Sequence, residues 1–188
     1  LTGSCSDETN NENELATLTL QEQEDLLFLR EEEKLARDVY LYSFDLYGDV
    51  IFNQIASSEQ QHMDQVLTLL IAYGLEDPAS LERGVFQDQA LQDLYSDLTT
   101  ASEVSLSKAL AVGATIEDLD INDLAFFESQ TLKADLLNVY DQLKCGSKNH
   151  LRSYTDRLEM LGVDYDPQYL SIEEYNSIVS SDRERCGP

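Results

Sequence analysis

Proline, glycine and long apolar runs are scarce in this sequence. The 188 residues include three prolines and eight glycines, which are the residues that disfavour a helix interior most strongly. Their scarcity favours an α-helical chain. No stretch approaches the roughly eighteen consecutive apolar residues that a membrane-spanning helix needs. The length fits one domain with a sizeable core and a tail.

Basic residues are scarce as well. Twelve lysines and arginines stand against 37 aspartates and glutamates, which gives a formal net charge of −25. Nucleic acids and anionic membrane surfaces carry negative charge that a basic protein surface would have to meet. The composition therefore argues against both as partners. The field of the whole chain attracts cations.

Three cysteines are present, and they form no close-spaced metal motif. Cys5 follows a short run of small and apolar residues and precedes a polar acidic stretch, which resembles the mature start of a bacterial lipoprotein. We therefore expect a lipid anchor at Cys5, a disordered tether over residues 1–18 and a place in the cell envelope; the alternative is an incidental cysteine in a disordered terminus. Cys145 and Cys186 remain as an even pair that could bridge in an oxidising compartment.

Apolar periodicity predicts four long helices, and we assign residues 19–162 to one four-helix bundle. The helices cover about 20–47, 52–73, 105–127 and 132–161, and the third could break near 120–122. A connection over 81–101, with a short helix near 91–95, is long enough to cross the bundle end to end between the second and third long helices. Residues 163–188 form a C-terminal extension with a short helix at 172–178.

The most informative motif lies on the second helix. Glu59 and His62 fall within the apolar stripe that Ile55, Val66 and Leu69 define, so both side chains point into a core. An unpaired buried carboxylate is costly, and a divalent metal bound by a carboxylate oxygen and an imidazole nitrogen would compensate it. Glu-x-x-His on an inward helix face is half of a carboxylate-bridged dimetal site.

The other three long helices supply further inward groups. On the first helix Glu33 is our choice for a core ligand, with Glu32 second and Glu31 outside the stripe. On the third, Glu117 and Asp120 face the core, whereas Asp118 and Asp123 are expected in solvent. The remaining candidate ligand is His150 on the fourth helix.

The fourth helix departs from the dimetal template. The template places a carboxylate three residues before the histidine, but Ser147 occupies that position. Asp120, one turn beyond Glu117, is the candidate substitute. A purely structural alternative stays open, in which Glu59 and His62 pair with Arg37 or Arg152. Burying the whole set of acids without a cation would carry a heavy desolvation cost.

Several blocks of sequence resemble one known family. They are REEEKLARDVY at 30–40, SEQQHM at 58–63, YGLEDP at 73–78, VGATIEDLDI at 112–121 and GSKNHLR at 146–152. In this order they are similar to the DUF2202 family, a ferritin-like domain related to rubrerythrin-type proteins, over residues 20–162. The resemblance implies a ferritin-like fold with a di-iron-type site. Glu33 and Tyr40, seven residues apart, also resemble the first-helix glutamate and nearby tyrosine of ferritins.

We therefore predict a di-iron protein that reacts with O2 or peroxide. Glu59 and Glu117 would bridge two iron ions, Glu33 and Asp120 would be terminal oxygen ligands, and His62 and His150 would be nitrogen ligands. Tyr40 would donate a hydrogen bond or an electron. Manganese or zinc would suit the same ligands.

Two other functions stay open: a non-catalytic protein that binds or sequesters iron, and a helical adhesion or scaffold module with a vestigial site. No Cys-x-x-Cys pair is present, so a rubredoxin-type electron-transfer domain is missing and the electron donor stays unidentified. A homodimer is compatible with the sequence.

Overall fold

The computed structural model describes residues 17–187, and this part of the chain forms six α-helices and no β-strand. The helices are α1 (Leu20–Tyr47), α2 (Val50–Ala72), α3 (Gln89–Ser102), α4 (Leu106–Gln130), α5 (Ala134–Glu159) and α6 (Ile172–Val179). The all-helical prediction is confirmed. The lipid anchor predicted at Cys5 lies outside the described part of the chain. The tether predicted over residues 1–18 also lies outside it, except for residues 17 and 18.

Four long helices pack into a bundle. α1 and α2 form a hairpin through Gly48, whose φ of 65° is the left-handed conformation that glycine adopts without strain. α4 packs against α5, α1 also contacts α4, and α2 also contacts α5. α3 lies on α1 and α4, and α6 lies on α5. None of the helices in residues 17–187 is both long and apolar enough to cross a membrane.

The helix ends follow local sequence signals. Thr19 and Glu22 form a capping box at the start of α1, in which each side chain binds the backbone N–H of the other residue. α4 runs without a break through 120–122, because Ile121 and Leu124 continue the buried face of the helix. α3 is longer than the short helix that the sequence suggested near 91–95.

The apolar core is divided into two clusters. One contains Tyr40, Phe52 and Tyr154, and the other contains Leu29, Val66 and Leu143. Along α1, α2 and α5 the residues between the two clusters include the polar ones that the sequence placed inward, and on α4 Glu117 and Asp120 lie next to Ile121 of the first cluster and before Leu124 of the second. The bundle therefore holds a polar layer between two apolar layers.

Two acids that we expected in solvent or outside the apolar stripe are buried. Asp118 accepts hydrogen bonds from the backbone N–H groups of residues 168, 169 and 170 and from the Tyr165 hydroxyl. Glu31 accepts the backbone N–H groups of Gln87 and Asp88. Both expectations were wrong because connecting segments cover the outer helix faces, and their backbone donors need acceptors there.

A disulfide joins Cys145, in the middle of α5, to Cys186 near the end of the described chain. It fastens the segment that follows α6 against the bundle. The sequence had left this pairing open. The disulfide lies beside the polar layer, because Cys186 lines a cavity that His62 and His150 also line.

Candidate metal centre

The polar layer gathers the side chains that the sequence selected on four helices. Glu33 comes from α1, Glu59 and His62 from α2, Glu117 from α4 and His150 from α5. All five are buried, and the three glutamates have no measurable exposure. Carboxylates and imidazoles are the ligand types that iron, manganese and zinc share. The layer therefore has the composition of a metal centre.

These side chains form two triads that share Glu59. In the first, His62 Nδ1 lies 2.7 Å from Glu59 Oε2 and 3.2 Å from Glu33 Oε2. In the second, His150 Nδ1 lies 2.8 Å from Glu59 Oε1 and 3.4 Å from Glu117 Oε2. Each oxygen of Glu59 thus faces a different histidine. One carboxylate is positioned to serve two adjacent ions.

The donor atoms fit metal ions better than they fit one another. Both oxygens of Glu59, Oε1 of Glu33, Oε2 of Glu117 and Nδ1 of His150 are buried without a hydrogen-bond partner. The close approaches of Glu59 to both histidines and of Glu117 to His150 therefore do not have the angles of hydrogen bonds, whereas His62 Nδ1 and Glu33 Oε2 do form one. Neighbouring ligands held about 2.1 Å from one ion lie about 3 Å apart, and each histidine lies 2.7–3.4 Å from the two carboxylates of its triad.

Neighbouring groups orient two of the ligands. His150 Nε2 lies 3.0 Å from the hydroxyl of Ser58, which leaves Nδ1 directed toward the carboxylates. The Tyr40 hydroxyl donates a 2.5 Å hydrogen bond to Glu117 Oε1, so Oε2 is the oxygen that faces His150. Such contacts fix the rotamer and tautomer of a ligand before the ion arrives.

Asp120 lies beside the triads but in neither of them. Its two oxygens are buried and unpartnered, and burial, together with Glu32 and Glu33, raises its pKa well above the usual value. Glu32, the second choice on α1, is buried with both oxygens unpartnered as well. The Ser147 hydroxyl donates a hydrogen bond to the carbonyl of Leu143. Position 147 supplies no carboxylate to the site.

The arginines that could have neutralised the site are engaged elsewhere. Arg37 donates to Asp38 and to Gln60, while Arg152 binds Glu184 and the carbonyl of Ile178. Among the ion pairs of residues 17–187, those of the triad carboxylates involve histidines alone. These two arginines therefore do not form salt bridges with Glu59 and the other triad carboxylates.

Gly146 lets α5 approach His62. A Cβ atom at this position would lie 2.6 Å from His62 Nε2, inside van der Waals contact. We expect Gly146→Ala to displace the imidazole and to lower metal occupancy of the first triad by at least half, as measured by plasma emission on metal-loaded protein. Ser147→Ala, one residue along, is the matched control and should leave occupancy unchanged. Equal occupancy in both variants would contradict the proposed contact.

Burial and neighbouring charges shift the pKa values of three of the triad residues. Burial raises the pKa of Glu33 to about 7, against the lowering effect of His62. Burial would lower the pKa of His150, but the carboxylates of Glu59 and Glu117 outweigh it and raise that pKa to about 10. Burial would raise the pKa of Glu59, yet the two histidines hold it below its usual value.

Metal binding should therefore release protons, because the ligands bind metal in their deprotonated forms. We expect Zn(II) to acidify weakly buffered protein at pH 7. As the pH is lowered, the apparent affinity for Zn(II) should fall about tenfold per pH unit for each proton that the metal displaces. Calorimetry in buffers of different ionisation enthalpy measures the proton count. His150→Ala should release fewer protons than the parent chain; an identical count would show that His150 does not hold one.

Sequence reasoning missed Ser58 and Gly146. Ser58 precedes Glu59 on α2, but its contact with His150 depends on how α2 faces α5, which no local pattern encodes. Gly146 carried a usable signal. It lies four residues before His150 on the same helix face, and a glycine on an inward face indicates a close approach by another group.

Comparisons with known proteins agree with these motifs. Residues 22–182 match a family described as "Uncharacterized protein domain (DUF2202)". The chain is 46% identical over 166 residues to uncharacterized protein MJ0754 of Methanocaldococcus jannaschii, a match that covers 88% of this chain and 90% of the relative. The crystal structure of hypothetical protein MJ0754 from Methanococcus jannaschii is similar with a TM-score of 0.88 at 45% identity, over 89% of this chain and 96% of that one. The chain therefore belongs to the DUF2202 family.

Proposed function

We propose that this chain is a ferritin-like dimetal-carboxylate protein that carries out di-iron redox chemistry with O2 or peroxide. One observation supports the proposal above the others: the two oxygens of Glu59 each face a different buried histidine. In this proposal α1, α2, α4 and α5 are the ferritin-like four-helix bundle. The segment between α2 and α4, which contains α3, is its long crossover connection.

The two triads would hold two iron ions, with manganese or zinc as other occupants of the same ligands. Glu33 and His62 would bind one ion, Glu117 and His150 the other, and Glu59 would bridge them. Glu117 belongs to a single triad, and its other oxygen accepts a hydrogen bond from Tyr40. We therefore assign Glu117 to one ion rather than to both. Asp120 would supply the oxygen that position 147 lacks.

The bound metal pair would supply the one-electron and two-electron chemistry. The chain itself orients the ligands, and an apolar cluster lies on each side of the layer. Tyr40 is buried, and its pKa is raised well above the usual value, first by burial and then by Glu117. Its hydroxyl proton therefore stays on the oxygen. Tyr40 is positioned to hold Glu117 by a hydrogen bond and to serve as an electron source next to the site.

Metal loading without oxygen tests this function directly. Protein incubated with Fe(II) under anaerobic conditions and then desalted should retain two iron ions per chain. Admission of O2 or peroxide in the presence of a reductant should then give repeated turnover. A chain that retains no iron after desalting would overturn the proposal.

A non-catalytic function in iron binding or sequestration is the second candidate. The net charge of −25 supports it, because an acidic chain attracts cations. Such a protein would consume O2 or peroxide once per metal pair and then stop, whereas an enzyme would continue while reductant lasts. Retention of one ion per chain would favour this binding function or a scaffold with a vestigial site. It would mean that Ser147 has disabled the second triad.

The cell envelope remains our proposed location. A disulfide between Cys145 and Cys186 is of the kind that persists in oxidising compartments. The anchor at Cys5 is tested by expressing the chain in a bacterium behind a lipoprotein signal peptide, where mass spectrometry is expected to find a lipid on this cysteine.

A further inference from the structure

We propose that the Cys145–Cys186 pair is a redox-active disulfide that passes two electrons from an external dithiol reductant to the metal centre. This inference rests on the proposed function and adds the missing class of electron donor. It depends on where the disulfide lies: between a cavity that reaches both site histidines and a cavity that opens outward. A disulfide with a purely structural role has no need of this position.

The inner side of the disulfide faces the metal ligands. A cavity of about 250 Å³ is lined by His62, His150, Ser58, Gly146 and Cys186. The other cysteine, Cys145, immediately precedes Gly146, the residue whose backbone lies against the His62 ring. Cys186 therefore lines a cavity that both histidines also line, and Cys145 belongs to the helix turn in contact with one of them.

The outer side of the disulfide is accessible. A second cavity, of about 260 Å³, is lined by both cysteines together with Asp141, Gln142 and Arg185. Cys186 is exposed, and Cys145 is partly buried. Thiol–disulfide exchange requires an attacking thiolate to reach one sulfur of the bond, and Arg185 places a positive charge beside that approach. An external dithiol can therefore reach this bond.

The tail that carries Cys186 is fastened by contacts besides the disulfide. The side-chain amide of Asn149 donates to the carbonyl of Glu184, and its oxygen accepts the backbone N–H of the same residue. Arg152 donates to the side chains of Ser181 and Glu184, and Arg183 donates to Ser153. Reduction of the disulfide should thus leave the two thiols side by side at the cavity, ready to be oxidised again.

The electrons and protons balance in two steps. First, an external dithiol forms a mixed disulfide with one cysteine and then leaves as its own disulfide, so that Cys145 and Cys186 become thiols. Second, the two thiols lose two electrons and two protons and re-form the S–S bond. The two electrons would go one each to two ferric ions held by the triad residues, and the two protons would go to solvent. The exchange matches a two-electron donor to two one-electron acceptors.

The test follows the thiols rather than turnover alone. Full-length protein is reduced, desalted without oxygen, loaded with Fe(II) and given one equivalent of peroxide per chain. After an acid quench, maleimide labelling and mass spectrometry count the thiols of Cys145 and Cys186. We expect two thiols lost per chain and iron that returns to the ferrous state, as read by a ferrous chelator.

Two controls separate this pathway from direct oxidation of the thiols. Protein loaded with redox-inert Zn(II) fills the same ligands and should lose thiols at least tenfold more slowly. The double variant C145S/C186S should bind the same amount of iron but leave it ferric. Its circular dichroism and iron content report whether the variant is folded, and the Zn(II) comparison does not depend on it.

The outcomes also separate the two proposals. Iron that binds, oxidises and stays ferric while both thiols survive would overturn the disulfide pathway and leave the di-iron function standing. Equal thiol loss in the zinc and iron proteins would overturn it too. A chain that binds no iron would overturn both.

Discussion

Replacing Glu59 with alanine should abolish binding of both metal ions. Its Oε1 and Oε2 lie 2.8 and 2.7 Å from Nδ1 of His150 and His62 respectively, so the change removes an oxygen from each triad. Each triad would keep one carboxylate and one imidazole, too few ligands for a site that survives desalting. We expect a fall from two iron ions per chain to none, measured by plasma emission after anaerobic loading.

Two further variants separate the loss of a shared ligand from the loss of a negative charge and from the loss of one triad. Asp64→Ala removes an exposed acid from the same helix and should retain both ions, which controls for the loss of negative charge. His150→Ala should lose the ion of the second triad and keep that of the first. Two ions retained in Glu59→Ala would show that Glu59 is not a ligand that both ions need, and its assignment as the bridging carboxylate would fail.

Replacing Lys34 with methionine should destabilise the fold more than any change at the surface. Lys34 and Asp38 have no measurable side-chain exposure and are joined by a 2.6 Å ion pair. The lysine also donates to the carbonyls of Glu82 and Val85, which fastens the segment between α2 and α3 to α1. Removal of one partner from a buried pair costs about 3–5 kcal/mol of the free energy of unfolding, and because Asp38 would keep its ion pair with Arg37, we expect the lower end of this range.

For a chain of this length, a loss of about 3 kcal/mol corresponds to a fall in Tm of about 6–12 °C, which scanning calorimetry measures. Arg83→Met is the matched control. Its ion pair with Asp45 has side chains 43% and 58% exposed, and exposed pairs contribute at most about 1 kcal/mol. Similar Tm changes in the two variants would contradict the assignment of Lys34 as a buried anchor of this segment.

Much of the fold could be predicted from the sequence because helix formation is local. Residues 20–47 were assigned to the first helix, and α1 has these bounds, since Thr19 caps one end and Gly48 the other. Scarce proline and glycine, together with apolar stripes of helical period, were sufficient for the all-helical class. Errors arose at the connecting segments. Their burial of Asp118 and Glu31 depends on contacts between residues far apart in the chain.

The candidate site divides in the same way. The sequence selected Glu33, Glu59, His62, Glu117 and His150, because each falls on an inward helix face that periodicity defines. A helical wheel gives the direction of a side chain relative to its own helix axis. It carries no information on the rotation and spacing of neighbouring helices.

The sequence by itself therefore determined the helices, their inward faces and the chemical types of the ligands. Only the tertiary structure decided that Glu117, unlike Glu59, belongs to a single triad, that Asp120 lies outside both triads, that Gly146 meets His62, and that Cys145 and Cys186 are joined beside the cavity. The physical reason is that these contacts join atoms of different helices and of the tail. Their distances are set by how the side chains of the whole core pack together.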